Sequence, residues 1–217
     1  MKVGTDGVLI GAWAHGGAHI LDVGTGTGVV AMMMSQRFAD AEVVAVDIDA
    51  SACRQAEVNI SASPFAGRVE VICAPIQQLA ADKAFAGRFD AVVSNPPFFE
   101  NALKAPEVSR CHARHTDTLP FSELFASVGR LLSPGGEFSA IIPFDYRVRF
   151  ETEASLAGFT LSRVCAVRTT PRKPVKRYLL AFRKGGGHEL EQTEGLLEVS
   201  PGVRSPWYER LTGDFYL

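Results

Sequence analysis

At 217 residues the chain is long enough to bury a substantial core in one large domain. Its 47% hydrophobic and 21% charged residues exclude a disordered, collagen-like or coiled-coil protein. A net charge of −2 excludes a uniformly basic polyanion binder but hides segregation: residues 163–184 carry eight Lys or Arg and no acid, whereas 185–217 sum to −4 and 1–162 to −6.

In chain order, His19 to Val23 reads as a first strand, and Gly28 to Phe38 as the helix that follows it. Glu42 to Asp47 is a second strand, and Asp49 is placed to cap a helix over Ala50 to Ser61. Arg68 to Cys73, Phe89 to Asn95 and Glu137 to Ile142 complete five strands, with a short helix from Ile76 to Asp82. Pro120 suits the first turn of a helix ending near Leu132, and Ser133 to Gly136 reads as a turn. Strands alternating with helices in this way imply right-handed crossovers and a mostly parallel sheet covered on both faces. The rhythm then breaks. Phe159 to Val167 and Lys176 to Lys184 are two strands whose link, Arg168 to Val175, is too short for a crossover helix, so they form an antiparallel pair. From Gly185 onward the sequence is an acidic extension, with Leu196 to Val199 as an edge strand, and 1–217 is read as one domain.

Four cysteines without a CxxC pair suggest neither a disulfide framework nor zinc. Cys111, His112 and His115 lack a second ligand pair, so no metal is expected. No apolar run approaches the ~20 residues that span a bilayer. The expectation is a cytoplasmic protein with no membrane and no obligate protein partner.

Two motifs carry chemistry. Leu21-Asp22-Val23-Gly24-Thr25-Gly26-Thr27-Gly28 puts Gly24, Gly26 and Gly28 at a strand-to-helix turn, where free backbone N–H groups favour an electron-rich ligand. Val29 stands where the dinucleotide fingerprint needs its last glycine, and Asp22 would repel a pyrophosphate but suits a cationic ammonium. Asp47, ending the second strand, is placed to accept hydrogen bonds from two ribose hydroxyls. The second motif, Asn95-Pro96-Pro97-Phe98, closes the fourth strand beside the same crevice. A carboxamide oxygen from Asn95 and the Pro96 carbonyl can accept both N–H bonds of a weakly nucleophilic NH2. Proline stiffens the backbone, and Phe98 offers a flat platform for an extruded base.

Together, Asp22 to Gly28 and Asp47 resemble the S-adenosylmethionine site of class I methyltransferases. That resemblance implies a Rossmann-like α/β fold with a seven-stranded, mostly parallel sheet and an antiparallel terminal hairpin. The acid that many relatives carry near the cofactor adenine is replaced by Pro75, where backbone groups of Ala74 to Ile76 are the expected substitute. The Asn95 to Phe98 tetrapeptide resembles that of N6-adenine methyltransferases, and also that of enzymes methylating a glutamine side chain in release factors. Lys2 to Trp13 resembles the opening of the bacterial tRNA(Val) methyltransferases that modify N6 of adenine 37. Ile76-Gln77-Gln78, Arg114-His115, Tyr178 to Phe182 and Leu211 to Leu217 support the same family. The resemblance implies tRNA as substrate and S-adenosylmethionine as cofactor, with further residues ahead of Met1. It also implies that Thr5 and Asp6 cap a helix closing over the methionine end of the cofactor. Arg110 and Arg114 after the tetrapeptide, and Arg172, Lys173, Lys176 and Arg177 within the basic strip from Arg163, are expected to meet RNA phosphates. The cofactor loop is expected at the other strand ends' crevice, away from that strip.

Overall fold

The computed structural model describes residues 4–96, 119–186 and 189–215. Strands and helices alternate as β1 (His19–Val23), α2 (Val29–Arg37), β2 (Glu42–Asp47), α3 (Ala50–Ser61), β3 (Val69–Cys73), α4 (Ile76–Ala81) and β4 (Phe89–Ser94), with α1 (Thr5–Trp13) ahead of them. Then come α5 (Phe121–Leu131), β5 (Leu132–Pro143), α6 (Arg147–Leu156), β6 (Phe159–Arg168) and β7 (Val175–Lys184). The chain ends through β8 (Glu191–Leu196), β9 (Glu198–Ser200), β10 (Val203–Arg204) and α7 (Pro206–Thr212).

The main sheet runs β3-β2-β1-β4-β5-β7-β6-β8. β3, β2, β1, β4 and β5 are parallel, and β7 is antiparallel to both β5 and β6. The chain steps outward from β1 on one side through β2 and on the other through β4. The β1/β4 boundary is therefore the point where strand order reverses and a crevice opens at the C-terminal ends.

The two-residue period of the strands builds two cores. On one face Ile20, Val43, Ala91 and Leu179 pack with Leu9 and Ile10 of α1, Ala31 and Met34 of α2, and Ile60 of α3. On the other, Leu21, Val44, Val92 and Phe182 pack with Leu79 of α4, Phe150 of α6, and Leu124, Phe125 and Val128 of α5. Phe125 is the hub of that second core. Its ring lies 4.8 to 5.5 Å from those of Phe138, Phe150, Phe159 and Phe182, within the range where aromatic pairs attract.

Several expectations are corrected. Among the described residues the sheet has eight strands rather than seven, because the acidic extension supplies β8, which pairs parallel to β6 from Arg163↔Glu191 to Arg168↔Leu196. That strand ends where an edge strand over Leu196 to Val199 was expected to begin: polar Glu191 to Glu194 satisfy backbone groups at an exposed edge, where apolar patterning gives no signal. Ser133 to Gly136 is not a turn before β5 but part of it. Leu132 already pairs with Phe89, and a register shift between Phe89 and Ala91 absorbs the segment. Helix α6 was not anticipated; only Phe150 and Ala154 of its ten residues are buried, which is too sparse a stripe to read. Pro120 caps α5 from outside instead of occupying its first turn. The cap of α1 is Gly4, with no side-chain cap hydrogen bond, so Thr5 and Asp6 lie inside its first turn.

Candidate active site

The glycine loop is built from the end of β1 and pinned to the end of β2. Gly24 and Thr25 both donate their N–H to the Val46 carbonyl, at 2.9 and 3.1 Å. Gly24, Gly26 and Gly28 all have positive φ, which only glycine adopts at little cost. Two of them differ in purpose. A side chain at Gly28 would press on Ile60 and Ala56 of α3, so this glycine lets helix and loop approach. One at Gly24 would meet nothing within 4 Å, so this glycine leaves the mouth of the loop open to a ligand. From α3, Asn59 Nδ2 supports the loop by donating to the Thr27 carbonyl at 2.9 Å.

Two carboxylates hold the loop. Asp22, fully buried, accepts from Thr25 Oγ1 at 2.6 Å and from the Ala31 amide at 3.1 Å, both on Oδ2. Burial pushes its carboxyl up to about 7, against those two hydrogen bonds and with Asp47 adding repulsion. A carboxyl held in this state gains from any cation brought close to it. Asp47 accepts the Gly26 amide on Oδ2 at 2.8 Å and the Asp49 amide on Oδ1 at 2.9 Å. Each oxygen keeps a second lone pair, so a ribose hydroxyl can share it. The open Gly24, the acceptor pair on Asp47 and the cation-favouring Asp22 fit S-adenosylmethionine. The Ala74 amide is committed to the Asp47 carbonyl at 3.0 Å. Pro75 has no N–H, and its carbonyl already accepts the Gln78 amide at 2.9 Å.

Next to this loop, Ser94 Oγ donates to the Val23 carbonyl at 2.9 Å, and Val23 pairs with Ser94 in the sheet. Asn95, partly buried, and Pro96, buried, follow directly, so the strand pairing brings the start of the tetrapeptide alongside Gly24. Pro97 and Phe98, like Arg110 and Arg114, lie outside the described residues. So do Cys111, His112 and His115; among the described residues no cluster of three or more His, Cys, Asp or Glu could hold a metal.

Residues 7–145 match the methyltransferase small domain family. The chain is 44% identical over 219 residues to the tRNA1(Val) (adenine(37)-N6)-methyltransferase of Bacteroides fragilis, covering all of this chain and 91% of that one. It is 40% identical to the enzyme of the same name from Porphyromonas gingivalis (100% and 89% covered) and 37% identical to that of Serratia proteamaculans (100% and 84%). The chain belongs to the tRNA1(Val) (adenine(37)-N6)-methyltransferase family. Its fold superposes on the crystal structure of a predicted O-methyltransferase from Agrobacterium tumefaciens, with a TM-score of 0.75, 19% identity and 96% of both chains covered. A geranyl diphosphate C-methyltransferase from Streptomyces coelicolor, in complex with S-adenosyl-L-homocysteine, gives 0.58 at 13% identity, with 82% and 77% covered. The class I methyltransferase fold is thus shared across the sheet.

For this family member, the basic strip breaks into two groups. Arg163 is buried, pairs with Glu137 at 2.6 Å and lies 4.0 Å from the Trp13 ring. Arg168 pairs with Glu194 of β8 at 3.6 Å. Arg177, its side chain only 13% exposed, pairs with Asp6. That contact ties the first turn of α1 to β7 and leaves Arg177 poorly placed for phosphate. Arg172, Lys173 and Lys176 remain exposed at the hairpin tip. The expected separation of strip and cofactor loop does not hold. Ala140 of β5 is level with Ser94, and Arg177 is level with Pro143, three residues further on. The β6–β7 turn therefore projects from the same sheet edge as Asn95, roughly 10 Å beyond it at strand rise.

Proposed function

We propose that this protein transfers a methyl group from S-adenosylmethionine to the exocyclic N6 amine of an adenine in tRNA, at position 37 of a tRNA(Val), in the cytoplasm. The observation that carries the reading is the seating of Asn95-Pro96 one strand from the glycine loop, in a chain whose full-length relatives bear that activity in their names. No described helix is long and apolar enough to cross a membrane.

When bound, the cofactor supplies an electrophilic methyl on a cationic sulfur. Asp47 holds the ribose, Asp22 favours the positive end, and the open face at Gly24 admits the ligand to the backbone. Asn95 Oδ1 and the Pro96 carbonyl accept the two N–H bonds of the adenine amine, which draws its nitrogen from planar toward pyramidal and frees the lone pair. Pro96 fixes φ and so the direction of that carbonyl. Phe98 is the proposed stacking face for the extruded base. The acceptor loses its proton after it has gained charge, so no side chain is needed as a general base beforehand.

Methyl incorporation into unmodified tRNA, followed by nucleoside mass spectrometry, should yield N6-methyladenosine. Asn95→Ala should reduce turnover at saturating tRNA by at least ~100-fold, the scale of losing one preorganised transition-state hydrogen bond, with cofactor affinity nearly unchanged. Transfer to a release-factor glutamine in place of tRNA, or full turnover by Asn95→Ala, would overturn the reading.

A further inference from the structure

Just past the end of β5, a short 3-10 turn over Phe144–Tyr146 leads into α6. Phe144 is 51% exposed, yet its ring is held: it stacks on Tyr178 of β7 with centroids 5.9 Å apart and planes at 26°. The Arg147 guanidinium lies 4.4 Å from the same Tyr178 ring and is itself fixed by Glu151 at 2.7 Å. One helical turn after Phe144, Val148 is 78% exposed, and Arg149 beside it is exposed too. Single exposed apolar side chains are ordinary and need no explanation. This one differs in its support and its place.

Its support is rigid. One face of the ring is backed by Tyr178, which Ile142 of β5 faces across the ladder, so the other face is presented with little freedom to lose on binding. Its place is the substrate edge. Pro143 lies three residues beyond Ala140, the partner of Ser94, so Phe144 stands one strand over from Asn95 and roughly 10 Å outward. Arg172, Lys173 and Lys176 crown the same edge from the hairpin that Tyr178 belongs to. An aromatic face on the same end of the sheet as these exposed cations complements a nucleic acid, whose bases supply π faces and whose backbone supplies charge. An enzyme that takes a base out of its stack also leaves the neighbouring base with one face uncovered.

We propose that Phe144 is a stacking platform for an unpaired nucleobase flanking the methylated adenine, with Val148 extending its apolar floor and Arg149 and the hairpin cations meeting adjacent phosphates. This deepens the proposed function and rests on it.

The test uses the full chain and a synthetic anticodon stem-loop, intact or with an abasic residue on either side of the target adenine. Phe144→Ala and Phe144→Leu should raise KM for the RNA by about 5- to 150-fold and leave S-adenosylmethionine affinity unchanged, whereas Phe144→Trp should stay near wild type. One abasic substrate should bring the wild type down to the level of Phe144→Ala and cost that variant little further. Wild-type methylation of RNA that Phe144→Ala matches would overturn the platform alone. Equal additional losses by wild type and variant on both abasic substrates would also overturn it, as would weakened cofactor binding in Phe144→Ala, which would make the ring a prop for the fold. Wild-type transfer to a protein and none to RNA would remove the proposed function and the platform together.

Discussion

Asp22 sits on the first strand at the heart of the cofactor loop, and its burial has a consequence for pH. A carboxyl raised from 3.8 to about 7 keeps in the folded state a proton that the unfolded chain has already released. The native state thus binds more protons than the unfolded one between about pH 4 and pH 7, so stability falls as pH rises through that window and levels off above it. Asp22→Asn keeps an oxygen to accept from Thr25 and Ala31 but removes the ionisation. Urea midpoints of the ligand-free protein should decline less from pH 5 to pH 8 in this variant than in the wild type. Parallel profiles would show that Asp22 does not titrate there. S-adenosylmethionine, carrying positive charge to this carboxylate, should stabilise the wild type more at pH 8 than at pH 6, and Asp22→Asn should lose that difference.

Among elements, the junction of β5, β6, β7 and α1 is held by a buried ion-pair network. Glu137 of β5 is buried and accepts from Arg163 of β6 at 2.6 Å and from Arg183 of β7 at 3.1 and 3.0 Å. Burial pushes its carboxyl up, but the two guanidiniums, with His15, outweigh it and hold the group below the usual carboxylate range. The stabilisation is therefore complete above that range and lost as pH falls through the lowered value. Glu137→Ala would strand Arg163, whose buried Nε has no hydrogen-bond partner among the described residues even now. The expected cost is ~3 to 5 kcal/mol, as for one half of a buried pair removed. Urea denaturation measures it, and adding Arg163→Met should recover part of the loss, since the charge left alone is then gone. A double variant no better than the single one would assign the cost to packing on Trp13 instead.

On the scale of the whole molecule, net charge opposes RNA, so binding must rely on where the cations project. Arg172, Lys173 and Lys176 stand at the hairpin tip, at the same end of the sheet as Asn95, while Arg163, Arg168 and Arg177 pair with Glu137, Glu194 and Asp6. Replacing Arg172, Lys173 and Lys176 by alanine should flatten the dependence of log affinity for tRNA on log salt by roughly 2 to 3 units, with cofactor affinity retained. Replacing Arg177 alone should leave that slope nearly unchanged. Filter binding over a range of salt concentrations tests both. An unchanged slope in the triple variant would mean that these cations face solvent only.

The sequence by itself determined the parallel half of the sheet and the motifs that stand at its strand ends. Short apolar runs in β1, β2 and β4 alternate with helices, and Asp22 to Gly28, Asp47 and Asn95-Pro96 are local motifs whose residue types follow from turn geometry and hydrogen bonding. What lay beyond it was whatever depends on partners distant in the chain. β8 is polar and becomes a strand only because β6 offers it an edge. Helix α6 buries too little to show a stripe. Phe144-Asp145-Tyr146-Arg147 has the aromatic and cationic composition of a binding surface, yet its proximity to Asn95 depends on the register of β5 against β4. The basic strip looked uniform in the sequence because charge is a property of residues, but pairing is a property of neighbours. Only the tertiary structure separates the arginines paired within the fold from Arg172, Lys173 and Lys176, left exposed at the hairpin tip.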